Sequence, residues 1–124
     1  MFESARAYSI LPASDLERAV RYWKDTFDLD PVMTDETGVL FEIAGSRVLV
    51  YETQFAGTAQ NTAFGIDTDD LEAAMSELRS RGVEFADYDM PGLKTVDGIA
   101  DLGGERSAWF TDSEGNILAI GQRS

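Results

Sequence analysis

The side chains that most often carry chemistry near neutral pH are missing: the chain holds no histidine and no cysteine. Without imidazole it lacks the usual general base and the commonest transition-metal ligand. Without thiols it has no disulfides, thiolate metal sites or cysteine nucleophiles. Chemistry therefore falls to carboxylates, Tyr, Lys, Ser or Thr. Asp87-Tyr88-Asp89 with Asp97 is one candidate group. Such carboxylates do acid–base work when burial drives their pKa values apart, and otherwise are ordinary solvated charges. Tyr8, Tyr51 and Tyr88 offer a similar choice, between lining a pocket and sitting at its rim with the hydroxyl satisfied. The glycines, Gly103-Gly104 included, show no phosphate-binding pattern after a strand.

The elements that must position these residues can be read along the chain. Tyr8 to Pro12 reads as a strand, with Pro12 restricting its place in a sheet. Ser14 or Asp15 then caps a helix whose Leu16, Ala19, Val20, Trp23 and Phe27 form a core-facing stripe. Val32 to Thr34, Val39 to Ile43 and Arg47 to Tyr51 follow as strands, the last two joined by a tight turn at Ala44-Gly45-Ser46. The second half repeats this order. Ala63 to Ile66 is a strand, Asp69 or Asp70 caps a helix carrying Leu71, Ala74, Met75 and Leu78, and Gly82 follows its end. Val83-Glu84-Phe85 begins the next strand in this reading. Residues 87–104 read as a loop with a short strand from Ile99 to Leu102, and Met90 to Lys94 as a lid. Ser107 to Phe110 and Ile117 to Ile120 close the chain as strands around Asp112 to Asn116. Two βαβββ repeats, about 6–53 and 61–123 within a single domain 1–124, are the economical explanation.

The chain's 124 residues suit one domain, and 44% hydrophobic content is enough to fold. No apolar run approaches the roughly 18 residues of a membrane span, and residues 1–6 have no signal-peptide stretch behind them, so a cytoplasmic location is expected. The net charge of −13, with thirteen aspartates against eight arginines and two lysines, disfavours nucleic acid and anionic lipid as partners. Salt adaptation, a GC-rich genome or selection for a cationic ligand would each produce it.

The opening Ile10-Leu11-Pro12-Ala13-Ser14-Asp15-Leu16 through Tyr22-Trp23, the second start Phe64-Gly65-Ile66-Asp67-Thr68 through Ala74 with Arg81-Gly82-Val83, and the closing Phe110-Thr111-Asp112-Ser113-Glu114-Gly115-Asn116 appear in that order. Together they resemble the vicinal oxygen chelate superfamily of glyoxalases, bleomycin-resistance proteins and extradiol dioxygenases. Asp28 stands where a turn glycine is usual there, which Asp tolerates, and Ser113 replaces a usual proline. The resemblance implies an α+β fold of curled mixed sheets around a cleft, and a homodimer with clefts at or near the subunit contact. It is strongest toward the metal-free, drug-sequestering branch, whose members hold cationic antibiotics.

By that resemblance, the family's four metal-ligand positions fall on Tyr8, Val50, Asn61 and Ala119. A divalent site wants several imidazoles or carboxylates on one centre, and these residues do not supply them. Glu52 shares the strand face of Val50 and, if the register slips, could join Asn61 and Tyr8 as an oxygen site. If Thr111 and Ile117 flank the last turn, pairing sets Trp109 opposite Ala119, where the metal centre of relatives sits. Trp109 then either walls a cavity for a flat or cationic ligand or plugs it as a core residue. The expected function is metal-independent binding of a small organic molecule, with Tyr8, Val50, Tyr51, Asn61, Tyr88, Trp109 and Ala119 lining the site and no cofactor. The alternatives are a lyase or oxygenase with an atypical metal site, and a module with no ligand.

Overall fold

The computed structural model describes residues 1–124. Strand β1 (Ser9–Ala13) leads into helix α1 (Leu16–Phe27), followed by β2 (Met33–Asp35), β3 (Gly38–Ile43) and β4 (Ser46–Glu52). The second half runs β5 (Thr62–Asp67), α2 (Leu71–Ser80), β6 (Asp89–Met90), β7 (Leu93–Val96), β8 (Ile99–Asp101), β9 (Glu105–Thr111) and β10 (Ile117–Arg123). The sheet orders β1-β4-β3-β2 and β5-β10-β9-β8-β7-β6 share one pattern, the second extended by the β6–β7 hairpin. In each, the first strand pairs parallel with the last, while the other pairings are antiparallel. Pro12 has no N–H to give a ladder, and it lies on the edge strand β1.

Both helices start at aspartates whose side chains accept a backbone N–H three residues on, Asp15 from Arg18 and Asp70 from Ala73. Helix α1 ends at Asp28 in the left-handed region, φ 57°, where its short polar side chain is better tolerated than most. At the end of α2, Gly82 (φ 95°) donates to Arg79 O and Val83 donates to Leu78 O. That is a Schellman closure, with the apolar residue beyond the glycine packed back on the helix.

This closure corrects the expected strand at Val83-Glu84-Phe85. Val83 and Phe85 are apolar because one completes the helix cap and the other packs on Phe110, with ring centroids 5.6 Å apart. No strand includes them. The expected loop and lid are corrected as well, because Asp89 pairs with Lys94 and Met90 with Leu93 as a hairpin. Asp97-Gly98, φ 54° and 83°, turns the next one. Aspartate and glycine, both at positive φ, make the two-residue turn that fits the strands' twist.

One apolar cluster joins the halves: Leu11, Phe41, Val48 and Val50 from the first sheet meet Ala108, Phe110, Leu118 and Ile120 from the second, with Trp23, Leu71 and Met75 of the helices. Trp23 stacks on Phe41 at 5.3 Å, and Phe27 continues the aromatic contact to Phe110 at 6.3 Å. Both sheets therefore turn one face to a shared core, and alternation leaves their other faces looking away from it. The closing turn adds a polar clamp. Glu114, its side chain 1% exposed, accepts from the backbone N–H of Ser14 and Asp15, each at 3.0 Å, and from Arg18 Nε at 2.7 Å. Asn116 donates to Pro12 O at 3.0 Å.

Candidate functional site

The outer face of the second sheet carries the densest set of candidate side chains. Its position follows from parity. Ala108, Phe110, Leu118 and Ile120 point to the core, so Trp109 and Ala119 point outward, and they are cross-strand partners as expected. Ala119 also pairs with Gly65 on β5, and Gly121 with Ser107 and Asp67. Three small residues thus leave the sheet bare beside the tryptophan. A recess of 200 Å³ lies over them, lined by Gly65, Ala119, Gly121, Asp67, Glu105 and Arg123 among others.

The charged walls are held in place. Glu105 accepts a hydrogen bond from Ser107 Oγ at 2.7 Å and pairs with Arg123 at 2.8 Å. Arg123 also reaches Asp67 at 3.4 Å. A Cβ on Gly121 would stand 2.8 Å from Glu105 Oε1, so glycine is what allows the carboxylate to fold over the sheet. Tyr88 meets Trp109 edge to face, centroids 5.7 Å apart. Its backbone N–H donates to the buried Thr95 hydroxyl at 2.8 Å, and that hydroxyl bonds Asp87 at 3.2 Å. Trp109 is only half-buried, so in the single chain it closes no cavity. An aromatic corner over a flat floor can stack a planar group, and the adjoining recess holds two carboxylates that share Arg123, one net negative charge.

The first sheet places its expected residues elsewhere. Tyr8, just ahead of β1, is 53% exposed, and Tyr51 on β4 is 38% exposed on the outer face that includes Ile10, 54% exposed. Those residues belong to the outer face of the first sheet, across the shared core from Trp109, Tyr88 and Ala119. Val50 requires a correction: it is 2% exposed and belongs to the core cluster, on the opposite face from Tyr51. The run Arg47-Val48-Leu49-Val50-Tyr51 is apolar on both parities, so sequence alternation alone does not choose the face, and a one-residue shift exchanges them. Asn61 precedes β5, exposed, its Nδ2 donating to Thr62 O at 3.3 Å.

The metal question can be put to the residues directly. Tyr8, Val50, Asn61 and Ala119 do not meet, and with Val50 in the core its outward neighbours are Leu49 and Tyr51, no better as ligands. Glu52 ends β4, exposed, paired in register with Ala13. No group of three His, Cys, Asp or Glu side chains is placed to hold an ion. The donors present do not fit the family's metal. The acid–base candidates separate too: Asp87 is bonded to Thr95, whereas Asp97 is a turn residue whose carbonyl accepts from Arg79.

Sequence reading missed Gly65, Asp67, Glu105, Ser107, Gly121 and Arg123. Counting in twos from Trp109 reaches Ser107 and Glu105, and from Ala119 reaches Gly121 and Arg123, so the signal lay in the closing strands' parity. Gly65 and Asp67 needed the parallel β5–β10 pairing, which no local pattern announces.

Comparison with known proteins agrees with this architecture. Residues 6–120 match the model of the Glyoxalase/Bleomycin resistance protein/Dioxygenase superfamily. No curated protein matches. Among solved structures, a glyoxalase / bleomycin resistance protein from Catenulispora acidiphila is 20% identical with TM-score 0.69, over 96% of this chain and 98% of that one. The fosfomycin resistance protein FosX from Listeria monocytogenes is 16% identical with TM-score 0.68, over 95% and 92%. TnmS3, an antibiotic binding protein from Streptomyces sp. CB03234, is 21% identical with TM-score 0.63, over 100% and 99%. At these identities the likeness to the structures is one of fold.

Proposed function

The chain belongs to the Glyoxalase/Bleomycin resistance protein/Dioxygenase superfamily, and from that premise we propose that it binds a small, flat, cationic organic molecule without the help of a metal. The observation that carries the reading is Trp109 set outward beside Ala119, with Tyr88 at its edge and a recess over Ala119 where Glu105 and Asp67 outnumber Arg123. An aromatic face attracts a cation by about 0.5–2 kcal/mol, more as water is excluded. Net charge −13 raises the local concentration of such ligands. That TnmS3 is an antibiotic binding protein adds weight to small-molecule binding.

The site is completed by a second copy. Each chain offers two outer faces turned away from one core, one with Tyr8, Ile10 and Tyr51, the other with Tyr88 and Trp109. A homodimer that lays the first sheet of one protomer over the second sheet of its partner encloses the recess and covers exposed apolar side chains. Native mass spectrometry of freshly purified protein tests both statements. The expected species is a dimer with an organic adduct and no metal; a stoichiometric metal adduct would overturn the reading. Once the adduct is identified, Trp109→Ala is expected to abolish its binding while leaving the circular dichroism spectrum intact, and unchanged affinity would remove Trp109 from the site.

A further inference from the structure

Arg123 fills part of the outer-face recess with a cation of the chain's own. Its Nη1 lies 2.8 Å from Glu105 Oε2 and its Nε 3.4 Å from Asp67 Oδ2. The two acids stand on the strands either side of β10, Glu105 in register with Arg123 on β9 and Asp67 beside Gly121 on β5. One planar group thus bridges two walls of the recess whose floor is Gly65, Ala119 and Gly121.

Glu105 is fixed and Arg123 is not. Glu105 is 26% exposed, accepts from the buried Ser107 hydroxyl at 2.7 Å, and lies close over Gly121, where a Cβ would stand 2.8 Å from Oε1. Arg123 is 67% exposed, and its guanidinium has no partners beyond the two acids. Exposed ion pairs of this kind are weak, since flexible side chains must be held in one geometry against water and salt. Arg123 therefore swings into solvent at little cost, whereas Glu105 stays where Ser107 and the glycine floor hold it. Gly121 is also the diagonal cross-strand neighbour of Trp109, about 7–8 Å away. A flat group stacked on the indole carries a cation on a short arm into the place Arg123 takes.

We propose, resting on the outer-face reading above, that the ligand's cation is a planar guanidinium or amidinium group and that it binds by displacing Arg123 from Glu105 and Asp67. Arg123 is then a built-in competitor for the site. A planar fork offers separate N–H donors to the two acids, as Arg123 does with Nη1 and Nε. An ammonium is instead a compact, strongly hydrated point charge. On binding, one cation replaces another between the same acids, and Arg123 keeps its own charge in solvent.

The test is a titration of 15N-labelled full-length protein with 2-phenylethylguanidinium and 2-phenylethylammonium at constant ionic strength, followed by amide, indole and arginine Nε–H signals. The guanidinium is expected to shift the Trp109 indole and the Gly121 amide saturably and to leave the core Trp23 indole unmoved. The Arg123 Nε–H signal is expected to move along the same curve toward that of a free arginine. The ammonium is expected to bind roughly threefold more weakly or worse. Arg123→Gln is expected to bind the guanidinium about three- to tenfold more tightly, the worth of the exposed pairs removed. Arg21→Gln, which removes the same charge from an exposed position on α1, is expected to change affinity less than about twofold. A Trp109 shift with Arg123 Nε–H unmoved, equal binding of the ammonium, or Arg123→Gln no tighter than Arg21→Gln would each overturn the proposal and leave the aromatic site standing. An unmoved Trp109 indole in all three proteins would remove the outer-face site itself.

Discussion

Glu114 is a carboxylate with almost no exposure, yet it is charged, because Arg18 and the first N–H groups of α1 converge on it. The hydrogen bond from Arg18, foremost, lowers its pKa from 4.5 to about 2 despite burial. A depressed folded-state pKa contributes stability that is complete above the unfolded value and lost as pH falls through the folded one. Glu114 therefore withdraws support between about pH 4.5 and 2, on the order of 3 kcal/mol. Asp112, raised chiefly by burial, has the opposite sign in acid: its protonation favours the folded chain, and its ionisation opposes folding as pH rises. Urea midpoints from pH 5 to 2 should fall in the native protein and fall much less in Glu114→Gln. That variant should already be about 1.5–3 kcal/mol less stable at pH 7, since its amide oxygen still accepts from Ser14 and Asp15 but its NH2 faces Arg18 where Oε2 accepted.

At the scale of elements, the turn that carries Glu114 is pinned by glycine. Gly115 has φ 84°, and a Cβ there would lie 2.9 Å from Gly57 Cα. Gly115→Ala must therefore meet both left-handed strain and a backbone contact, with an expected loss of about 1–2 kcal/mol or more and a Tm several degrees lower by calorimetry; an unchanged Tm would mean the turn yields freely. The same scale marks where sequence was sufficient. Capping aspartates, the 3–4 spacing of the α1 stripe and the pairing of Trp109 with Ala119 are local facts, and local physics made them legible. Val83 and Phe85 misled because apolar residues two apart serve a helix cap and a core contact as readily as a strand. The β6–β7 and β7–β8 hairpins were partly announced, since Asp97-Gly98 between Val96 and Ile99 has the composition of a two-residue turn. The face of Val50 was not legible at all, because its strand is apolar on both sides.

At the scale of the whole molecule, the candidate residues divide between two faces that a single chain cannot bring together. This arrangement predicts a complementation result. Chains carrying Trp109→Ala lose the aromatic wall on the second sheet, and chains carrying Tyr51→Ala lose a contact on the first. If each site is built from one face of each protomer, mixed dimers of the two variants regain one intact site although neither homodimer binds. Titrating the identified ligand into mixed and unmixed samples measures this, and a mixture no better than its components would place the whole site within one chain. If that dimer forms, a charge on the outer face of the edge strand β1, Ile10→Glu, should shift it to monomer by light scattering with the far-ultraviolet spectrum unchanged.

The clamp between the closing turn and the first helix also bears on the order in which the chain matures during synthesis. The carboxylate that receives the N–H groups of Ser14 and Asp15 lies about 100 residues further along. While the first repeat leaves the ribosome, the entrance to α1 has only Asp15 as its own cap, and Arg18 has no Glu114 to meet. β5 likewise waits for its parallel partner β10, which follows it only after α2 and four further strands. Native contacts so distant in sequence close slowly, and a chain that stops before Asn116 leaves β5 and β9 without β10 and the core without Leu118 and Ile120. Such a fragment carries unpaired strand edges and uncovered apolar surface, the features that make partly folded chains prone to aggregate.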